Sequence, residues 1–114
     1  MGWYYYNLGG TTADTALSSG AAGYGTHEVG KKAANTLGIY DMSGNVCEWC
    51  YDYYGTVSTG SETDPTGAAS GSVRVNRGGS WYSSAKNASV SYRSSIGPSY
   101  RYGYLGFRLV RSAQ

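Results

Sequence analysis

Charge is scarce in this sequence: Asp, Glu, Lys and Arg together make up 14% of the residues, and the formal net charge is +2. The densest basic pair is Lys31-Lys32. A nucleic-acid surface needs a concentrated basic stripe, so nucleic acid is excluded as a partner. No apolar run approaches the ~20 residues of a membrane span, which predicts no membrane insertion by this domain. Leu, Ile and Val are scarce and there is one Phe, so a helical bundle with an aliphatic core is excluded too. The two cysteines, Cys47 and Cys50, stand in Cys-x-x-Cys spacing. A zinc site needs a second ligand pair and a redox motif needs a βαβ context. Neither is there, His27 lies far upstream, and the thiols read as structural.

What the chain does have is 18 Gly and 13 Tyr in 114 residues. That length supports one domain with a single core. The glycines predict a loop-rich fold with long irregular segments, and such segments carry function when a rigid scaffold holds them. No signal peptide precedes Trp3. Met1-Gly2-Trp3-Tyr4 enters an aromatic run at once, which reads as a start made inside a longer protein and leaves the compartment open.

The pattern along the chain predicts short strands. Trp3–Tyr6 reads as one, Asn7–Gly25 as loop, and Thr26–Gly30 as a brief extended piece. Leu37, Ile39 and Met42 are expected to be buried anchors around a turn at 35–38. Val46–Asp52 reads as a strand, Gly55–Gly71 as polar loop with a turn at Asp64-Pro65-Thr66-Gly67. Val73–Arg77 alternates apolar and polar as a half-buried strand does. Gly78-Gly79 permits a bulge or a close backbone approach, and Trp49 and Trp81 are expected in the core. Ala85–Tyr92 fits strand or irregular structure, Ser94–Tyr104 reads as loop, and Leu105–Arg111 as a closing strand.

Between the stiff blocks at 74–81 and 105–110 lies the most unusual stretch. Tyr82–Tyr104 holds five Tyr and seven Ser, with Arg93 and Arg101 among them. Tyr gives large amphipathic contact area at low entropic cost, and Ser, Gly and Asn adapt around it. A merely solvated loop has no reason to carry so many rings, and an exposed ring cluster marks an interaction site.

Three ordered motifs carry a resemblance. They are Asn35-Thr36-Leu37-Gly38-Ile39-Tyr40-Asp41-Met42-Ser43-Gly44-Asn45-Val46-Cys47-Glu48-Trp49, Arg74-Val75-Asn76-Arg77-Gly78-Gly79-Ser80-Trp81 and Gly106-Phe107-Arg108-Leu109-Val110. Together they resemble the formylglycine-generating enzyme/sulfatase-modifying factor family. The resemblance implies an α+β, loop-rich, C-type-lectin-like fold with short antiparallel strands and little helix. It also implies that residues 1–114 form a single domain truncated at its N-terminus. Within that family, 82–104 looks like the variable region of proteins diversified by retroelements. Those elements mutate template adenines, so AAY codons scatter into Asn, Ser, Tyr, Ile, Gly, Ala, Asp and Thr. Tyr82, Ser83, Ser84, Asn87, Tyr92, Ser94, Ser95, Ile96, Ser99, Tyr100, Tyr102 and Tyr104 all belong to that set, and Lys86 follows from an AAA or AAG codon. These thirteen positions are the expected ligand contacts.

The family's enzyme binds copper through two cysteines after the Gly-Gly-Ser block. Here those positions correspond to Ser83 and Ala88, which cannot hold copper(I), a metal that prefers thiolate. The resemblance therefore implies no catalytic residue and no required cofactor. It offers one structural calcium site, with the Asp41 and Glu48 carboxylates and the Gly44 and Val46 carbonyls as ligands, a hard-oxygen set suited to that ion. The alternative is that Asp41 and Glu48 cap turns and pair with Arg. A second family site near Asn7 and Leu8 lacks its aspartate at Ala22. Arg74, Arg77 and Arg108, in the fixed blocks, are expected to pin coil by planar hydrogen bonding.

The reading that follows is a non-catalytic module that binds a protein or glycan on another surface, in a parent protein associated with a cell surface or a phage. Two other classes compete. A structural domain of a larger surface or phage protein predicts that 82–104 packs against a missing part. An enzyme of the same fold with a changed active site predicts titratable groups converging in a pocket.

Overall fold

The computed structural model describes residues 2–7 and 19–111. Most of the predicted loop Asn7–Gly25, and Leu8 of the second calcium site, lie outside the described residues. Four strands are found among those described: β1 (Cys47–Tyr53), β2 (Arg74–Arg77), β3 (Ser94–Ile96) and β4 (Leu105–Gly106). They form one sheet in the order β3-β2-β1-β4. No helix among the described residues is long and apolar enough to cross a membrane.

The strands expected at Val46–Asp52 and Val73–Arg77 lie at the sheet's centre as β1 and β2. β2 pairs antiparallel with β1 through Glu48↔Arg77, Trp49↔Asn76 and Tyr53↔Arg74. Between the last two pairs β1 carries more chain than β2, an irregularity that bends the strand. Tyr51 stands in that bend and is exposed. β2 has a paired strand on each edge, and both of its faces are covered as well. Val75 is 2% exposed on one face and Asn76 4% exposed on the other.

Several expectations are corrected. Trp3–Tyr6 is no strand: the Asn7 carboxamide accepts from Tyr4 N at 2.8 Å while Asn7 N donates to Tyr4 O at 2.9 Å, which closes a turn. Thr26–Gly30, expected as a brief extended piece, joins no strand and ends in a turn at 29–30. Ser94–Ile96, read as loop, is β3, because β2 offers a free antiparallel edge with register Arg74↔Ile96, Val75↔Ser95 and Asn76↔Ser94. The closing strand shrinks to Leu105–Gly106, and it pairs parallel, not antiparallel, with β1 through Cys47↔Leu105 and Glu48↔Gly106. Beyond it the chain leaves the sheet, and Phe107 and Leu109 are exposed. Leu37 at 79% exposure, Ile39 and Met42 are surface residues, not anchors. Trp49 and Trp81 are half-buried.

Candidate ligand-binding site

The strand order dictates where the Tyr/Ser-rich stretch must run. β3 and β4 are opposite edges of the sheet, so residues 97–104 have to cross one face of β2 and β1 to join them. That face carries Asn76 from β2, Cys47 from β1, and Ser94 and Ile96 from β3, all brought to one side by register and the two-residue alternation of strands. A cavity of about 440 Å³ lies there. Its lining includes Tyr82, Ser83, Ser84, Asn87, Tyr92, Ser94, Ile96, Tyr102 and Tyr104.

Four of the expected contacts fall elsewhere. Ser95 sits opposite Val75, on the reverse side of the sheet. Lys86 and Ser99 are exposed outside the lining, and Tyr100 joins from the rim by stacking on Tyr102. The structure in turn adds Cys47, Asn76, Gly79 and Ser80 to the lining, all from the blocks read as scaffold. Strand alternation put Cys47, Asn76 and Ser94 on a common face in principle, but only the pairing partners reveal it.

The tyrosines form a ladder. Tyr82 stacks on Tyr104 at 6.2 Å between ring centres, Tyr104 on Tyr102 at 4.9 Å, and Tyr102 on Tyr100 at 5.9 Å, all within 14° of parallel. Trp81 and Tyr5 meet Tyr82 edge-on. The ring faces are therefore turned to one another, and edges and hydroxyls are left for a ligand.

Fixed-block side chains hold this region in place. Arg77 Nη1 donates to Ser91 O and Tyr92 O at 3.0 Å each and to Val90 O at 3.4 Å. Arg93 Nη1 donates to Gly55 O at 3.1 Å with its guanidinium over Tyr54. Arg74 donates to Tyr51 O and lies over the Tyr53 ring. Gly79, with φ of 64°, lets β2 pass so close to the turn at 85–89 that a Cβ there would stand 2.7 Å from Ala88 Cα and Asn87 O. Ser83 Oγ accepts from Ser80 N at 3.0 Å, and Tyr5 N donates to Ser83 O at 3.0 Å.

Among the described residues, the lining of the cavity contains no Asp, Glu, His, Lys or Arg. Burial pushes the Cys47 thiol up to about 11, and its Sγ donates to Tyr104 O at 3.2 Å. Burial, with Tyr102 beside it, also raises Tyr104. Among the described residues no nucleophile–base pair lines the cavity, and Ser83 Oγ bonds to Ser80. One polar atom stands out: Asn76 Nδ2 is buried and has no hydrogen-bond partner. Such an orphan donor costs about 1–3 kcal/mol.

The four expected calcium ligands, Asp41, Gly44, Val46 and Glu48, line a second cavity of about 730 Å³, together with Arg108. Arg108 Nη2 donates to Glu48 Oε1 at 2.8 Å and Nε to Oε2 at 3.1 Å, while Nη2 also reaches the Asp41 carbonyl at 3.2 Å. These bonds to Glu48 raise the guanidinium pKa. Asp41 Oδ2 accepts from Gly30 N at 2.7 Å, and its Oδ1 is buried without a partner. Both Glu48 oxygens are thus paired with Arg108, as the alternative to a calcium site expects, while Asp41 Oδ1 keeps an unused acceptor beside them.

A family model described as the sulfatase-modifying factor enzyme 1-like domain matches residues 2–113. Treponema denticola variable protein 1 superposes with a TM-score of 0.70 at 48% identity, over 77% of this chain and 32% of that one. A chaperone protein LppX of Paenibacillus barcinonensis is 39% identical over 92 residues, which is 76% of this chain and 28% of the relative. A formylglycine-generating enzyme of Streptomyces coelicolor is 40% identical over 84 residues, 69% of this chain and 27% of the enzyme. The chain thus spans about a third or less of the proteins it matches.

Proposed function

The chain belongs to the sulfatase-modifying factor enzyme 1-like family and has its loop-rich, C-type-lectin-like fold, and on that premise we propose that it is a non-catalytic ligand-binding module diversified by a retroelement. The observation that carries this reading is the placement of 82–104. Both ends of the segment are pinned on fixed strands, and its side chains wall one cavity. Substitutions at the lining positions of 82–104 outside β3 change the surface presented without altering a strand. The likeness to a variable protein supports the same reading.

Affinity comes from burial of tyrosine, and specificity from hydroxyl and amide hydrogen bonds around it. The ligand is a protein or a glycan on another surface. The inward-turned ring faces favour protein, because a sugar stacks best on an open aromatic face. Oxidation of a sulfatase cysteine does not fit these residues: Ser83 and Ala88 offer no thiolate pair, and Cys47 is a single, protonated thiol in the cavity.

Deep sequencing of the gene's 3′ end across a growing population of the source organism tests the reading. Substitutions confined to adenine positions in the codons for 82–104, with those for 78–81 and 106–110 untouched, are expected. A uniform sequence overturns active diversification. Conversion of a sulfatase-motif cysteine peptide in the presence of copper and oxygen overturns the non-catalytic assignment.

A further inference from the structure

The sheet ends in an edge that the described chain leaves open. β4 pairs with β1 on one side only. Past Gly106 the sequence keeps a strand's alternation, with Leu105, Phe107 and Leu109 set against Gly106 and Arg108, yet 107–110 joins no strand among the described residues. Phe107 is 72% exposed, Leu109 86% and Val110 89%. Val29, Ile39 and Tyr40, also exposed, line the cavity of about 730 Å³ together with Phe107 and Leu109. So wide an apolar surface marks an interaction site. An open edge is ordinarily guarded by a charged side chain. Arg108 is the only charge in 105–110, and its bonds to Glu48 turn it back onto β1.

The hydrogen-bond pattern narrows what can add to this edge. Cys47 N donates to Tyr104 O at 2.8 Å, so in the parallel ladder residues 104 and 106 aim their backbone groups at β1. Leu105 aims its carbonyl outward, and Phe107 and Leu109 do the same with N–H and C=O once the strand is continued. A second copy running antiparallel offers these groups in reverse order. With a two-fold axis at Phe107, that residue meets Phe107 of the second copy and Leu105 meets Leu109, all apolar, while Arg108 falls opposite Gly106. An axis at Arg108 would set two guanidiniums against each other, and one at Gly106 would leave Leu109 unpaired. The area agrees. Val29, Ile39, Tyr40, Phe107, Leu109 and Val110 on each copy, at on the order of 100 Å² apiece, together exceed the ~1,000 Å² that a specific interface needs.

We propose that this edge is a homodimer interface, in which two copies join β4 to β4 antiparallel about a two-fold axis at Phe107. The pairing carries the sheet across both copies and covers the apolar wall of the larger cavity. The contact is isologous, so it closes at two copies.

Light scattering on the chain after size exclusion tests it. At about 100 µM, above the micromolar ceiling for interfaces of this area, the protein is expected to have twice the chain's mass. Phe107→Lys and Phe107→Glu each place like charges on the axis and are expected to be monomeric, with the circular dichroism of the unaltered chain. Mixed in equal amounts, they are expected to associate about tenfold or more tightly than either does alone, because Lys then meets Glu. Val57→Lys, at an exposed apolar position outside this face, is expected to stay dimeric. A second measurement needs no variant: amide exchange at Phe107 and Leu109 is expected to slow about tenfold or more from dilute monomer to dimer, as one added hydrogen bond implies. A monomer at the higher concentration overturns the inference and assigns the face to a different protein segment. Loss of the dimer in Val57→Lys overturns the assignment to this edge. A dimer that survives both Phe107 variants, or mixing without effect, overturns the axis at Phe107. Unaltered exchange at Phe107 overturns it even where neither variant folds.

Discussion

The close approach at Gly79 gives the sharpest test of how the scaffold supports the cavity. Gly79→Ala adds one methyl group in a backbone with φ of 64°, and the new Cβ would lie 2.7 Å from both Ala88 Cα and Asn87 O. The left-handed conformation alone costs an L-residue about 1–2 kcal/mol. The steric part falls on backbone atoms, which have no rotamer to escape into. Relief requires β2 and the 85–89 turn to separate, an overpacking cost of about 1–3 kcal/mol. The sum is about 2–5 kcal/mol, a large share of the ~5–15 kcal/mol by which domains of this size are stable.

Gly38→Ala is the matched control. Gly38 has φ of 75°, yet nothing lies within 4 Å of an added Cβ. It pays the conformational cost of about 1–2 kcal/mol and nothing for space. Thermal melts followed by circular dichroism are the assay. At about 4 °C per kcal/mol, Gly79→Ala is expected to melt roughly 8–20 °C lower and Gly38→Ala roughly 4–8 °C lower. Equal melting of the two variants would refute the claim that β2 and the cavity-walling turn are in contact at Gly79.

Two further predictions concern protons and metal. Burial raises the Cys47 pKa from 9.0 to about 11, so the unfolded thiol ionises first as pH rises. The contribution is whole below pH 9, declines between about 9 and 11, and then levels off; the loss is about 2–3 kcal/mol, and urea denaturation across this range should show it disappear in Cys47→Ala. Because Arg108 occupies both oxygens of Glu48, melting should be the same with calcium as with a chelator, and a calcium-dependent rise would show that the ion displaces Arg108 and that the four expected ligands hold it. Glu48→Gln should cost about 1 kcal/mol in the same melts, as expected for a bidentate pair that solvent partly screens.

How far the sequence could be read depends on whether a residue's partner was near in sequence or supplied by the sheet. β2 carries its own alternation and β1 its own run of apolar and aromatic residues, so their existence and nearly their bounds were legible. Gly78-Gly79 announced a close approach for the same local reason. β3 could not be read: Ser94-Ser95-Ile96 has no strand pattern of its own and is extended only because β2 offers it hydrogen bonds. Asn76 was hidden by the rule that made β2 visible. In an alternating strand the polar positions are assigned to solvent, and Val73-Arg74-Val75-Asn76-Arg77 looks half-exposed on that rule. Yet the sheet order forces 97–104 across that polar face, which roofs Asn76 with tyrosine and turns a surface amide into a buried, unpaired donor. The residue that sequence alternation would leave to water is therefore among the most deeply buried polar residues described in the sheet.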